Sequence, residues 1–364
     1  MELKKVLVGF GLNPSTWEGK EFGSGHINNT FRLTDRVSGK NLLLQRINHF
    51  VFRDPNAIAG NMRIAADYLA ATHPDYLFLN AIKTREGSEL WYDEEEYPWR
   101  ILPFIGNSYS IDEVAETGQA YAAARQFAIL TRNLAGLDAS MLKPTIPDFH
   151  NLALRYRQFR DALITAPHDL RQEAAAEIDA CLAREGLATQ YSQLINHPGC
   201  RLRVMHHDTK INNVLFHRES GEAICPIDLD TLMPGHIFSD LGDMVRTYVS
   251  PVSEEETDYS KVMVRDEFYQ ALYDGYLSEM AGELTAHEKI HLSFSGKMLL
   301  YMQALRFLTD YLLGDVYYKT HYTGQNLNRT RNQLKLLLQL EESEPTHKQL
   351  IERILKNYTE SHDS

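Results

Sequence analysis

Between residues 105 and 112 the apolar pattern of the chain changes period, and that change limits the possible fold more than any single motif. Before it, apolar residues come in short runs broken by turn residues. "EFGSGHINNTFRLTD" and "KNLLLQRIN" read as neighbouring strands about the turn "RVSG". "LNAIKT", "ELWYD" and "YPWRILPFI" read as further antiparallel strands, separated by "REGS" and "EEE", and the acid run Glu94–Glu96 is a solvated turn. One helix interrupts them. In "DPNAIAGNMRIAADYLAAT", Asp54 is the N-cap, Pro55 takes the first turn, and Ile58, Met62, Ala65 and Leu69 recur at helical spacing.

From Asp112 onward the spacing is helical. "DEVAETGQAYAAARQFAILTRNLAG" predicts one amphipathic helix, and "FHNLALRYRQFRDALI" another with Leu152, Tyr156, Phe159 and Leu163 on one face. "LRQEAAAEIDACLAREG" follows, with its final Gly in the stop position. Only "RVMHH", "NVLFH" and "AICPID" return briefly to an extended pattern. "KMLLYMQALRFLTDYLLGDVYY" is apolar enough for a core helix, and "THKQLIERILKNY" closes the chain as a surface helix. The expected fold class is α+β: a small antiparallel sheet lobe over residues 1–105 and a larger, mainly helical lobe over residues 106–364. A cleft between two such lobes is a natural ligand site.

Composition excludes several function classes. The 364 residues carry 37 Lys and Arg against 49 Asp and Glu, a net charge of −12, whereas nucleic-acid binding wants clustered positive charge. No nucleic-acid partner is expected, and no protein partner can be inferred. The three cysteines, Cys181, Cys200 and Cys225, form no CxxC pair and read as reduced thiols of a cytoplasmic protein. No apolar run reaches 18 residues, and the short N-terminal patch reads as neither a signal peptide nor a membrane anchor. There is no HExxH, and no glycine fingerprint with an acid about 20 residues further on, so zinc hydrolysis and dinucleotide chemistry find no support.

Two polar clusters stand against this background. "VMHHDTKINNVLF" (204–216) packs His206, His207, Asp208, Lys210, Asn212 and Asn213 beside an apolar run, and "PIDLDTLMPG" (226–235) follows an apolar strand. Phosphoryl transfer needs a carboxylate to orient an acceptor hydroxyl, metal ions to neutralise phosphate oxygens, and a loop over the phosphates. Asp208 is the candidate carboxylate. Asn213, five positions on, reaches a metal from the far end of the same loop, and Asp228 supplies a metal carboxylate. Mg²⁺ needs few protein ligands because it keeps waters and phosphate oxygens. Taken singly, each of these residues is as well explained as a turn or a cap; order, spacing and strand context together carry the reading.

"VMHHDTKINNVLF" with "PIDLDTLMPGHIFSDLGDMVR" resembles the catalytic and metal segments of the aminoglycoside phosphotransferase and choline kinase superfamily. "FGSGHINNTF" (22–31), "HHDTKINNVLF" (206–216), "IDLDTLMPG" (227–235) and "ALRFLTDYLLGDVYY" (304–318) resemble its N-acetylhexosamine 1-kinase branch. The resemblance implies a protein-kinase-like two-lobed fold, with nucleotide on the sheet lobe and catalysis and acceptor binding on the helical lobe. It also implies ATP and Mg²⁺ as cofactors and a small-molecule acceptor.

Roles follow from matching the motifs. Asp208 is the catalytic base, and Asn213 and Asp228 hold metal. Gly23, Ser24 and Gly25 form the turn over the phosphates, where a missing Cβ lets backbone N–H groups approach; the third glycine of the kinase pattern is Asn28 here. Arg46 on the third strand contacts the phosphates, with Gln45 in a competing register. The helix after it lacks the glutamate of protein kinases, and Asn61 is the stand-in. Adenine lies against backbone near Phe104 and Ile105. Lys210 either touches the γ-phosphate or shapes the loop. His206 is a packed, loop-orienting residue, and Asp240 braces the loop. His26, Asp230, Arg306 and Asp310 are the acceptor-site residues; Asp230 points to the same side of an extended chain as Asp228, and an Arg306–Asp310 ion pair is the bland alternative for those two. The expected activity is ATP-dependent phosphorylation of the anomeric hydroxyl of an N-acetylhexosamine, with choline, homoserine or an aminoglycoside as alternative acceptors. A non-catalytic nucleotide-binding regulator is disfavoured because Asp208, Asn213 and Asp228 are all present.

Overall fold

The computed structural model describes residues 2–23 and 27–360. Strands are β1 (Trp17–Glu21), β2 (Asn29–Asp35), β3 (Asn41–Arg46), β4 (Trp91–Tyr92), β5 (Pro98–Pro103), β6 (Ser108–Tyr109), β7 (Arg203–Met205), β8 (Val214–His217), β9 (Ala223–Pro226) and β10 (Met233–Gly235). The N-terminal helices are α1 (Glu2–Gly9) and α2 (Pro55–Thr72), followed by α3 (Thr117–Asn133), α4 (Leu152–Thr165), α5 (His168–Glu173), α6 (Ala175–Leu182) and α7 (Glu185–Ile195). After the strand-rich insert come α8 (Ile237–Tyr248), α9 (Asp266–Met280), α10 (Ala286–Ile290), α11 (Phe294–Leu312), α12 (Gln325–Glu342) and α13 (Glu344–Glu360).

Contacts divide the chain into two compact units. The first comprises the residues up to Tyr109 together with Asn133–Pro147 and Leu215–Pro234. The second comprises Ser110–Arg132, Asp148–Val214 and the chain from Gly235 onward. The first unit is a sheet lobe and the second a larger helical lobe, the α+β arrangement expected.

The sheet lobe is built on an antiparallel sheet in the order β1-β2-β3-β5-β4. Its register pairs Leu44 with Ile101 and Gln45 with Arg100. Because side chains alternate along a strand, Leu42, Leu44, Trp99 and Ile101 face one side, where Val6 and Leu7 of α1, with Phe10 just after it, complete a buried core. On the other side Arg100 touches Met62 of α2 through its sulfur. α2 starts as its sequence demands: Asp54 accepts from the Ala57 N–H at 3.2 Å, and Pro55 gives up no hydrogen bond in the first turn.

In the helical lobe α11 is the central element, with sixteen of its residues buried. Gly275 of α9 lets that helix approach α3, since a Cβ there would lie 2.2 Å from the Tyr121 carbonyl oxygen. No helix among the described residues is long and apolar enough to cross a membrane.

Several expectations are corrected. The N-terminal patch is helical: "ELKKVLVG" turns Val6 and Leu7 inward at helical spacing, a pattern too short to separate from a strand by eye. The strand read across Glu21–Asp35 is two, β1 ending at Glu21 and β2 beginning at Asn29. "LNAIKT" contributes one bridge, Ile82 to Ile101, rather than a strand. The helix expected from Asp112 starts at Thr117. The glycine read as a helix stop, Gly186, lies in the first turn of α7. The segment after Ile227 is not extended: Asp228 has left-handed backbone at φ 58° and ψ 58°, and Leu229–Thr231 form a 3₁₀ turn.

Candidate active site

The loop after β7 is held from several sides within the helical lobe. β7 is anchored by Arg203, whose guanidinium forks onto Glu288 at 2.5 and 2.9 Å, both groups deeply buried. At the loop, Asp240 of α8 accepts the backbone N–H of His206 at 3.1 Å on one oxygen and that of His207 at 2.8 Å on the other. Thr209 donates its hydroxyl to the Asp240 carbonyl at 2.7 Å, and Tyr248 donates to the Thr209 carbonyl at 2.8 Å. His206 packs edge-on against Phe127, and its Nδ1 accepts from the Asp208 N–H. His207 has left-handed backbone, φ 66°, and is buried, its Nδ1 3.1 Å from the Met205 carbonyl. The expected bracing by Asp240 and packing of His206 are both present.

These restraints present Asp208. Lys210 Nζ lies 3.2 Å from its Oδ1. Asn213 Nδ2 donates to its Oδ2 at 3.0 Å and to its backbone carbonyl at 2.8 Å. The amide nitrogen of Asn213 is thus spent on Asp208.

Burial shapes the charges around this loop. It raises the Asp240 carboxyl to about 7, against the pull of the two amide hydrogen bonds; the Asp243 and Asp208 charges add to the rise. For Lys210 the desolvation pulls down, but Asp208 and then Asp243 outweigh it, so the ammonium is held above its ordinary value even with two-fifths of its side chain exposed.

The two helical-lobe residues expected at the acceptor site, Arg306 and Asp310, differ in their surroundings. Arg306 and Asp310 do not pair. The Asp310 carboxylate is buried and accepts three backbone N–H groups, from Val316 (3.0 Å), Tyr317 (2.8 Å) and Tyr318 (2.9 Å), besides the Asn326 amide at 2.9 Å. It shapes the loop after α11. Arg306 donates to Gln303 and lies over the rings of Phe149 and Tyr318, at 5.8 and 5.5 Å from their centroids. Beside it His150 stacks on Phe149, and its imidazole is held well below the usual range by burial, then by His207, Arg306, Arg246 and Arg155. His150 and Arg155 were not legible as part of this cluster.

In the sheet lobe, Asp228 is exposed while Asp230, two residues on, is buried. Asp230 meets Arg100 Nη1 at 2.5 Å and accepts from Asn28 Nδ2 at 2.7 Å. Arg46 lies on the α1 face of β3, its guanidinium 4.7 Å above the Tyr97 ring and 5.7 Å from that of Trp99. The opposite face belongs to Gln45 and Arg100. Asn61 of α2 donates to the carbonyls of Leu232 and Lys143, holding the segment after Asp230 by backbone rather than by charge. Phe104 stacks edge-on with Phe22 and lies under Arg32; the Ile105 carbonyl accepts from the Ser108 hydroxyl at 2.7 Å. Gly23 has φ 82°, a conformation favourable to glycine. Ser24, Gly25 and His26 lie outside the described residues.

A braced Asp-Lys-Asn loop on a helical lobe, with an antiparallel sheet lobe before it, is the layout of a phosphotransferase with a protein-kinase-like fold. The profile of the phosphotransferase enzyme family (APH) matches residues 18–284, and the chain belongs to that family. It is thus a small-molecule phosphotransferase. Solved structures with the same fold include spectinomycin phosphotransferase in complex with ADP and spectinomycin (TM-score 0.62, 15% identity, 93% of this chain and 98% of that one). An ethanolamine kinase from Plasmodium vivax matches with TM-score 0.58 and 14% identity over 91% of this chain and 87% of that one. A microcompartment-associated aminopropanol kinase matches with TM-score 0.58 and 14% identity over 95% and 98%.

Proposed function

We propose that the protein is an ATP-dependent kinase that phosphorylates the anomeric hydroxyl of an N-acetylhexosamine, giving the sugar 1-phosphate. The observation that carries the kinase reading is the Asp208 carboxylate, steadied on one oxygen by Lys210 and on the other by Asn213. In this reading Asp208 orients the acceptor hydroxyl and receives its proton as the oxygen bonds to phosphorus. Lys210 lies against one carboxylate oxygen and steadies its position. Gly23, Ser24 and Gly25 receive the phosphates, and the chain at Phe104 and Ile105 receives adenine. The sheet lobe is the nucleotide domain and the helical lobe the acceptor domain.

Asn213 and Asp228 are the proposed Mg²⁺ ligands, each of a donor type that suits the ion. No cluster of three or more His, Cys, Asp or Glu able to hold a metal occurs among the described residues. The exposed Asp228 carboxylate and the Asn213 amide oxygen are hard donors, a small set suited to an ion that keeps waters and phosphate oxygens. When bound, Mg²⁺ neutralises the phosphate charge.

The sugar reading rests on the quoted motifs and on Arg306. A planar donor fork flanked by aromatic rings, with Arg155 and His150 nearby and Asp310 spent on backbone amides, suits a neutral polyol and repels a polycation. His26 and Arg306 are the proposed sugar donors. We place the protein in the cytoplasm, in keeping with three buried free thiols. The test is ATP consumption with GlcNAc, GalNAc, their 1-O-methyl glycosides, choline, homoserine and kanamycin, with the phosphate position read by NMR. Free N-acetylhexosamines should be the best acceptors and the methyl glycosides inert. Comparable turnover of a methyl glycoside, or choline or kanamycin as the best acceptor, overturns the sugar reading.

A further inference from the structure

We infer that Arg100 of β5 is a positioning residue that acts through Asp230 to fix the direction of the Asp228 carboxylate. The inference rests on the kinase reading above. Asp228 and Asp230 flank Leu229 in one tight turn, yet their surroundings are opposite: Asp228 is exposed, whereas the side chains of Arg100 and Asp230 are only 3% and 2% exposed. A buried charge pair is kept where its geometry matters, since desolvation cancels much of its attraction.

The pair does not stand alone. Gln45 of β3 accepts from Arg100 Nε at 2.9 Å and donates to the Thr30 hydroxyl of β2 at 3.1 Å. Asp230 Oδ2 accepts from Asn28 Nδ2 at 2.7 Å, and Asn28 Oδ1 accepts the Asn48 N–H at 3.0 Å. The Nη1–Oδ1 approach of 2.5 Å is a contact of charges rather than a well-directed hydrogen bond, so it is these neutral partners that set the angle of each group. Two stretches of the sheet lobe, before β2 and within β5, thus meet on one carboxylate, and the stretch after β3 steadies the first of them through Asn48.

The turn they hold needs holding. Asp228 sits in left-handed backbone, which a non-glycine residue keeps only when its surroundings fix it. Asn61 pins the far end of the turn through the Leu232 carbonyl at 2.9 Å. With Asp230 locked on one side and Leu232 on the other, the backbone that carries Asp228 is held at both ends of the turn. In this chain, whose helix α2 offers only Asn61 where protein kinases carry a glutamate, the ion pair that ties sheet to catalytic segment therefore runs from β5 to the 3₁₀ turn.

The test compares wild type with Arg100→Met, Asp230→Asn and the double variant, each checked by thermal unfolding. Calorimetry measures binding of ADP with and without Mg²⁺, and electron paramagnetic resonance follows Mn²⁺ in the presence of ADP. Each single variant should weaken metal–ADP binding at least tenfold and leave metal-free ADP binding within twofold, and the double variant should lose less than the two singles combined. Arg100→Lys keeps the charge but not the fork; it should lose less than Arg100→Met, and it supplies the reading if a single variant does not fold. Unchanged metal–ADP binding in folded variants overturns the inference alone, as does a defect confined to acceptor KM, which would mark Asp230 as a sugar ligand. Absence of metal–ADP binding by wild type overturns the kinase reading with it.

Discussion

Asn213 Nδ2 donates both to the carboxylate of Asp208, at 3.0 Å, and to its backbone carbonyl, at 2.8 Å. One amide thus fixes the position and the rotation of the group proposed to meet the acceptor hydroxyl. Asp208→Asn keeps the shape but replaces a proton acceptor with an amide. Turnover should fall about a hundredfold or more, with the Kd for ADP unchanged within twofold. Stopped-time assays with calorimetry check this; a variant that keeps most of its turnover removes Asp208 from the base role. Asn213→Ala should add a second symptom, a raised Mg²⁺ requirement, because it removes the amide oxygen as well as the brace.

Burial of Asp240, set against its two amide hydrogen bonds, gives activity and stability opposite pH trends. The Asp240 carboxyl titrates near 7 in the folded protein and near 4 in an unfolded chain. Between these values the folded state binds the extra proton, so this group's contribution to stability falls as pH rises from about 4 to about 7. The ionised carboxylate, however, is the better acceptor for the His206 and His207 amides. Turnover should therefore decline as pH drops through about 7, while the advantage in Tm of wild type over Asp240→Asn shrinks as pH rises over the same window. A kcat that is flat from pH 5.5 to 8 counts against the ionised brace.

The contacts within the 206–213 loop were readable in local sequence, and the long-range pairs were not. Asp208, Lys210 and Asn213 touch within one short stretch, so their order and spacing in "HDTKINN" already state their geometry. Asn28 and Asp230 lie 202 positions apart, and no pattern in either segment announces the contact. Arg100 did leave a signal, a charged residue inside the apolar run "PWRILP", but a solvated edge strand explains it equally well. The choice between Arg46 and Gln45 for the face opposite α1 was a one-residue register question, and a period of two reverses every side chain when the register moves by one. It is the packing of α1 on Leu42 and Leu44 that sets the register, and α1 itself was not recognised.

Gly235 is required by its neighbour rather than by its own backbone. A Cβ there would lie 2.3 Å from His207 Nε2 and 2.6 Å from Cε1. The imidazole has little room to yield, since its other nitrogen is bound to the Met205 carbonyl and its ring faces that of His150 at 5.6 Å. Gly235→Ala should push His207 and, with it, the adjoining Asp208. The expected result is a loss of turnover of tenfold or more alongside a destabilisation of about 1–3 kcal/mol. Denaturant unfolding and kcat measured on the same preparation check both numbers. Wild-type turnover in the variant shows that the loop does not depend on this packing.

Asp310 and Arg306 separate loop shape from the proposed acceptor contact. Its carboxylate collects the N–H groups of Val316, Tyr317 and Tyr318, and the third of these residues lies against Arg306. Asp310→Ala leaves those three donors without their acceptor, while the Asn326 amide keeps its other acceptor, Asp315 Oδ1 at 2.8 Å. The cost should be roughly 2–4 kcal/mol, with water recovering part of the loss at the loop. The tyrosines and the fork of Arg306 would then lose their fixed relation, so acceptor KM should rise while ADP binding stays as it was. Arg306→Lys gives the contrasting pattern: it keeps the charge but not the planar fork, and should raise acceptor KM about tenfold with Tm within a degree or two of wild type. Measuring KM and Tm together for both variants distinguishes the roles. Equal loss of Tm in the two makes Arg306 a structural residue, and unchanged acceptor KM in Arg306→Lys removes it from the acceptor site.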